Sequence, residues 1–192
     1  MIEIYAGLPG SGKTYSMVAR ALEKMRQKGK LVYANFHVEG AEYYEPHEFL
    51  DLEPGQRGAI VMTDELQNWM SSRHFHKLPA EWLHRTSQTR KKGMQWWVSS
   101  QHPGSIDKAV RDRAAFIHWC HAWPGGYDSE ANAFLFLDRV YQPQHGMKDD
   151  PNDPAIRVAQ HVRWRSRKVT RAYDTMEEID LAEHLITREK AA

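Results

Sequence analysis

Eight residues constrain this chain more than any others: Gly7-Leu8-Pro9-Gly10-Ser11-Gly12-Lys13-Thr14, a full match to G-x-x-x-x-G-K-[ST]. A β-rich run, Ile2 to Ala6, precedes the motif. Helical spacing follows it, with Met17, Val18, Ala21, Leu22 and Met25 on one face and Gly29 at the stop. In a strand, glycine loop and helix of this order, backbone N–H groups turn inward around phosphate oxygens. The helix N-terminus adds its positive dipole end. The expected phosphate contacts run from Gly7 through Leu8, Pro9, Gly10, Ser11, Gly12, Lys13 and Thr14 to Tyr15. Lys13 is expected to reach the β- and γ-phosphates of a nucleotide, and the Thr14 hydroxyl to complete the shell of Mg2+. A glycine loop that matches by chance seldom has this strand before it, this helix after it and a second motif downstream.

That second motif is Ala59-Ile60-Val61-Met62-Thr63-Asp64-Glu65, an apolar strand ending in two acids. It puts a carboxylate at the C-terminal edge of the sheet beside the glycine loop. Asp64 is expected to hold Mg2+, usually through water, because that ion keeps much of its hydration. Glu65 is suited to act as the general base on the attacking water. An Asp-Glu pair opening a helix would look the same in isolation, since acids are favoured there; next to a phosphate loop the metal reading prevails. The run Gln95 to Ser99 reads as the next strand, and Gln101 just beyond it is expected to sense the γ-phosphate or its water. An ordinary loop glutamine has the same appearance. A guanidinium at the γ-phosphate gains strongly in an NTPase transition state. Arg111 is the favoured candidate among Arg85, Arg90, Arg111 and Arg113, any of which also reads as a solvated or salt-bridged arginine.

The rest of the chain sets these motifs in an α/β fold, a P-loop NTPase three-layer sandwich with a mainly parallel sheet and a short variable C-terminal tail. Strand and helix patterns alternate through the first hundred residues, as a parallel sheet with crossover helices requires. Further strands are expected at Leu31 to Val38, Ala115 to Trp123, Phe134 to Tyr141 and Ile156 to Trp164. Helices are expected around His47 to Leu52, Ala80 to Lys91, Ile106 to Arg113 and Met176 to Arg188, with a loop over Gln142 to Pro154. One domain over 1–192 is the simplest organisation, its core about 1–142 and its basic strand and C-terminal helix about 155–190.

Composition excludes several classes. Of 192 residues, 41% are hydrophobic and 27% charged, which are globular values and rule out a wholly disordered chain. The net charge of +1 gives no whole-protein attraction to nucleic acid, although a local basic patch stays open. A single cysteine, Cys120, rules out an intramolecular disulfide and points to a reducing compartment. No apolar stretch approaches the ~18 residues of a membrane span, and Met1 to Tyr5 lacks a secretory signal pattern. A cytoplasmic location is expected.

Three further groups of residues attract attention. His118-Trp119-Cys120-His121 is the best metal candidate among the histidines. On a strand, however, His118 and Cys120 face one way and His121 the other, so four converging ligands are not in view and a structural zinc is not expected. Arg73 to Lys77 reads as a polar loop that can also meet DNA or a neighbouring subunit. The run Arg163, Arg165, Arg167, Lys168 and Arg171 suits nucleic-acid phosphates, anionic lipid headgroups or a charge-protected edge strand equally well.

The order of these features resembles the zonula-occludens-toxin-like (Zot) family of ATPases linked to filamentous phage assembly, within the wider FtsK–HerA group of DNA-translocating motors. It is carried by the glycine loop, Asp64-Glu65, Arg90-Lys91-Lys92-Gly93, Ser99-Ser100-Gln101-His102-Pro103 and Asp107 to Arg111, over roughly 1–123. The resemblance implies ATP and Mg2+ at the loop, Lys13 and Thr14 at phosphate and metal, Asp64 and Glu65 at metal and water, and Gln101 as sensor. It further implies a homo-oligomer, commonly a hexamer, with an arginine from the adjacent subunit, phage DNA as the load and membrane assembly proteins as partners. A place at the host inner membrane would then be peripheral. Family members usually continue into a membrane-spanning helix, which these residues do not include, and Thr86 to Thr89 departs from the family pattern before Arg90. A nucleotide or small-molecule kinase would share the glycine loop, but an arginine-rich lid is not evident and Glu65 favours water activation. A nucleotide-gated module docking on a membrane pore is the third reading, motivated by the aromatic second half.

Overall fold

The computed structural model describes residues 1–68, 84, 88, 91, 93–124, 132–143 and 157–174. Two strands follow the expected bounds residue for residue: β1, Ile2–Ala6, and β4, Ala59–Thr63, each buried along its whole length. Both are short apolar runs flanked by glycine or acid, the pattern of central strands covered on two faces. Helix α1, Lys13–Lys28, starts directly after the glycine loop. It ends where Gly29, in the left-handed region at φ 57°, donates its N–H to the Met25 carbonyl. Tyr15, Met17, Val18 and Ala21 form its buried face, while Arg26 and Lys28 lie in the last turn, where a cation complements the helix dipole.

The remaining strands are β2 Leu31–Ala34, β3 Glu42–Tyr43, β5 Gln95–Ser100, β6 Ala114–Trp123, β7 Leu135–Tyr141 and β8 Arg157–Trp164. They assemble in the order β3-β2-β4-β5-β1-β6-β7-β8, parallel from β3 to β6 and antiparallel from β6 to β8. On one face α1 packs over Tyr5, Ile60, Met62, Trp97, Ala122 and Phe136. On the other, Phe49, Leu66, Ile106 and Val110 close over Ile2, Ile4, Val61, Trp96 and Val98. Each face therefore buries its own core.

Several elements differ from the sequence expectation, each for a local reason. The strand expected to reach Val38 stops at Ala34, because Asn35 turns its side chain onto the backbone of Asp64. Val38 instead bridges Tyr173. The helix expected around His47 is a 3-10 turn over Pro46–Leu50, closed by a reciprocal capping box between Glu45 and Glu48. The helix expected over Ile106 to Arg113 narrows to Lys108–Arg111, since Asp107 caps it by accepting from the Ala109 N–H at 2.7 Å. Residues 157–174 are part of the body of the fold: β8 extends the sheet and the helix Arg167–Arg171 lies beside α1. The helix expected over Met176 to Arg188, and most of the Ala80 to Lys91 helix and of the Gln142 to Pro154 loop, fall outside the described residues.

Between α1 and the sheet runs a buried polar chain that the hydrophobic pattern conceals. Glu3 is fully buried on β1 and pairs with Arg20 of α1, which also donates to the Tyr5 hydroxyl and lies over the Trp97 ring. His118 lies between two carboxylates, its Nε2 3.0 Å from Glu3 and its Nδ1 2.9 Å from Asp138. Arg163 and His161 of β8 also bind Asp138. Burial alone would raise the Glu3 carboxyl. The hydrogen bond with His118 and the charge of Arg20 outweigh it and hold the group at about 2. Asp138 is likewise held well below the usual carboxylate range, burial being outweighed by His118, Arg163 and His161. A carboxyl depressed in the fold contributes stability above its ordinary value, and loses it as the pH falls toward the folded one. Equilibrium unfolding should therefore show stability draining away from about pH 4.5 towards about pH 2. Glu3→Gln should lower stability at neutral pH by about 3–5 kcal/mol and flatten that acid slope; an unchanged slope would contradict the pairing.

Candidate functional site

The glycine loop leaves the C-terminal end of β1 and winds into α1 through two positions where only glycine fits. Gly12 sits at φ 78°, and a Cβ there would lie 2.3 Å from the Phe136 ring; at Gly7 it would lie 2.4 Å from Ser11 Oγ and 2.8 Å from the Cys120 carbonyl. Within the loop the Ser11 N–H donates to the Leu8 carbonyl at 3.0 Å, and the first helical bond runs from the Ser16 N–H to the Gly12 carbonyl. Lys13 is buried to 8% exposure and folds back so that Nζ donates to the Leu8 carbonyl at 3.1 Å. Among the described residues the Ser11 Oγ is buried with no hydrogen-bond partner. This hydroxyl, a loop of backbone amides and an ammonium group folded back on the loop's own carbonyl make a donor-rich concavity suited to an anion.

Across the sheet edge stands Asp64. The strand order in the sheet puts β5 between β1 and β4, so Asp64 is one strand further from the loop than the sequence suggests. The gap is closed from α1: the Thr14 hydroxyl donates to Asp64 Oδ2 at 2.9 Å, linking residues 50 apart in the chain. Asn35 accepts from the Asp64 N–H at 2.7 Å, and Ser99 of β5 donates to Asp64 Oδ1. Hydroxyl and carboxylate oxygens are the hard ligands Mg2+ takes, and Thr14 with Asp64 would hold it here.

Glu65 follows in the left-handed region at φ 50°, costly for a side-chain-bearing residue by about 1–2 kcal/mol. Its N–H is held by Ser99 Oγ at 2.9 Å and its exposed carboxylate accepts from Asn68 at 3.0 Å. Register places Gln101 beside this group: Ser100 pairs with Ala6 and Val98 with Thr63, so Gln101, exposed, lies at the same sheet edge next to Gly7.

Two expected residues point elsewhere. The Tyr15 ring is buried against Phe136, with centroids 3.8 Å apart, and its hydroxyl donates to Trp164 and accepts from the Ser166 N–H. Its side chain thus ties α1 to β8, leaving only its backbone near the loop. Arg111 donates to the Pro103 carbonyl at 3.4 Å within its own segment. Arg85, Arg90 and the Arg73 to Lys77 loop lie outside the described residues. In the basic run, Arg163 is engaged with Asp138, while Trp164 is 71% exposed and stacks on Phe134. Asn35 belongs to no motif and was not legible in the sequence as a site residue, and within the Ser99 to Pro103 segment only Gln101 stood out as one.

No protein-family model matches the sequence, and no curated protein matches it. Solved structures do. The N-terminal domain of zonular occludens toxin from Neisseria meningitidis superposes with a TM-score of 0.60 at 18% identity, over 90% of this chain and 98% of that one. The genome packaging NTPase B204 from Sulfolobus turreted icosahedral virus 2, in complex with ATP-gammaS, matches with a TM-score of 0.55 at 12% identity, over 73% and 91%. The same protein in complex with AMPPCP gives 0.53 at 15%, over 73% and 91%. The likeness at these identities is one of fold, and it bears out the architecture read from the glycine loop and the alternating strands and helices. The chain has the α/β fold of a P-loop NTPase.

Proposed function

We propose that this chain is a Mg2+-dependent ATPase whose turnover moves, extrudes or packages phage DNA during virion assembly. The observation that carries the proposal is the Thr14–Asp64 hydrogen bond, because it brings the end of the glycine loop and the acidic strand end into one oxygen-lined site. Bound Mg2+ would neutralise charge on the phosphates and orient them. The chain's own contributions follow from position. The loop amides from Gly10 to Thr14 cradle the phosphates, and Lys13 exchanges the Leu8 carbonyl for phosphate oxygen. Asp64, fixed by Asn35 and Ser99, keeps its carboxylate toward Thr14. Glu65 polarises the attacking water and Gln101 reads the γ-phosphate.

The load and the assembly are the finer part of the proposal. Likeness of fold to a viral genome packaging NTPase and to a zonular occludens toxin domain supports DNA as the load. Assembly as a homo-oligomer, a hexamer in the resembling family, gives Arg111 or another arginine a neighbouring site to complete. The exposed Trp123, Val162 and Trp164 offer apolar surface to a neighbouring subunit. Among the described residues no helix is long and apolar enough to cross a membrane, so contact with membrane assembly proteins would be peripheral.

Lys13→Ala should cut phosphate release by roughly 10²–10³ with the thermal melt preserved; undiminished hydrolysis would overturn the assignment. Ser99→Ala should raise the Mg2+ concentration for half-maximal activity by about tenfold, and an unchanged Mg2+ requirement would show that Ser99 does not orient Asp64. ATPase activity with and without DNA, read alongside mass in solution, tests the motor. DNA stimulation of an oligomer is expected, whereas a monomer indifferent to DNA would leave the nucleotide site alone standing.

A further inference from the structure

Three strands of the antiparallel part of the sheet bring together side chains far apart in sequence. His118 of β6, Asp138 of β7 and His161 of β8 point to the α1 side of the sheet. Cys120 and His161 both pair with Asp138 in register. The two imidazoles aim Nδ1 at one oxygen, Asp138 Oδ2, from 2.9 Å and 2.8 Å. All three atoms lie within 4.8 Å of one another.

The surroundings of His118 restrict what can occupy this convergence. Its far nitrogen, Nε2, faces Glu3 Oε2 at 3.0 Å, and Arg20 lies 3.4 Å from the same nitrogen while binding Glu3. The Tyr5 ring stacks flat on the imidazole, with centroids 4.3 Å apart at 10°. An imidazole that gives its far N–H to a buried carboxylate presents its near nitrogen as a lone pair. That is the arrangement by which carboxylates orient metal-binding histidines. In that tautomer the lone pair faces a carboxylate oxygen, so a positive centre, either a metal ion or a proton, stands between them. Arg163 takes the other oxygen of Asp138, leaving Oδ2 as its single ligand atom. His161 has a side chain 41% exposed, which opens one side of the group to solvent.

We infer that His118 Nδ1, Asp138 Oδ2 and His161 Nδ1 bind a first-row divalent cation of the zinc class, with a solvent-facing fourth position. Two imidazoles and one carboxylate suit such an ion better than Mg2+ or Ca2+, which take oxygen ligands. Bonds of about 2.0–2.2 Å bridge these three atoms after sub-ångström adjustment. The ion braces β6, β7 and β8 and shares no ligand with the proposed Mg2+ site. These three side chains come from three strands, so the pattern of one strand does not bring them together. The rival occupant of the same space is a proton shared with Asp138.

Chelator-stripped full-length protein titrated with Co2+, and counted for Zn2+ by elemental analysis after dialysis, decides between them. One equivalent of metal with a visible Co2+ absorption band is expected, together with a Zn2+-dependent rise in melting temperature. His161→Ala should abolish the band, whereas His121→Ala, on the opposite face of β6, and Asp64→Asn should keep it. Retention in Asp64→Asn separates this ion from the proposed Mg2+ site, so either assignment can fail alone. No band in the parent chain, or metal retained undiminished in His161→Ala, would overturn the inference and leave a protonated network.

Discussion

The hydrogen bond from Thr14 to Asp64 is the constraint around which the rest of the structure is arranged. It joins the first turn of α1 to the end of β4 across the intervening β5. It therefore works only if strand order, helix position and the short stop of β2 are all in place. Just past that stop Asn35, whose own N–H still donates to the Met62 carbonyl, turns its side chain to hold the Asp64 backbone. Ser99, at the end of β5, carries the connection sideways by donating to Asp64 and accepting from the Glu65 N–H. Thr14 and Ser99 converge on the Asp64 carboxylate while Asn35 holds its backbone. A carboxylate held this way loses little freedom when a cation arrives, which is what preorganisation means for a phosphate-handling site.

The opposite flank is held by different physics. Phe136 backs Gly12 so closely that no side chain fits there, and it stacks on Tyr15, whose hydroxyl reaches β8. The glycine loop is thus clamped from β7 and β8 as well as from β1. Beneath it, the Glu3–His118–Asp138 chain with Arg20 and Arg163 fixes how α1 sits on the sheet. Breaking a buried ionic chain at one member leaves the others uncompensated. The geometry of the loop is consequently tied to residues more than a hundred positions away.

Much of the central sheet was legible from local pattern. The apolar runs of β1 and β4, the glycine stop at Gly29 and the strand-loop-helix order follow from periodicity and turn chemistry, which act over a few residues. The places where reading failed depend on contacts between distant segments. Nothing near Asn35 announces that its side chain will reach Asp64. Tyr15 sits beside the motif, yet its side chain serves β8. Nothing in the local pattern of β7 or β8 marks Asp138 and His161 as partners of His118, because the three come from different strands. Interposition of β5 between the two motif strands is likewise a property of topology that spacing does not encode.

The most direct measurement is a crystal structure of the chain with Mg2+ and a non-hydrolysable ATP analogue. The phosphates are expected within hydrogen-bond distance of the amides from Gly10 to Thr14. Lys13 Nζ should have moved from the Leu8 carbonyl to phosphate oxygen, and the Mg2+ should stand between Thr14 and Asp64. A nucleotide bound elsewhere, or a loop whose lysine stays on Leu8 with no metal near Asp64, would contradict the assignment of this site.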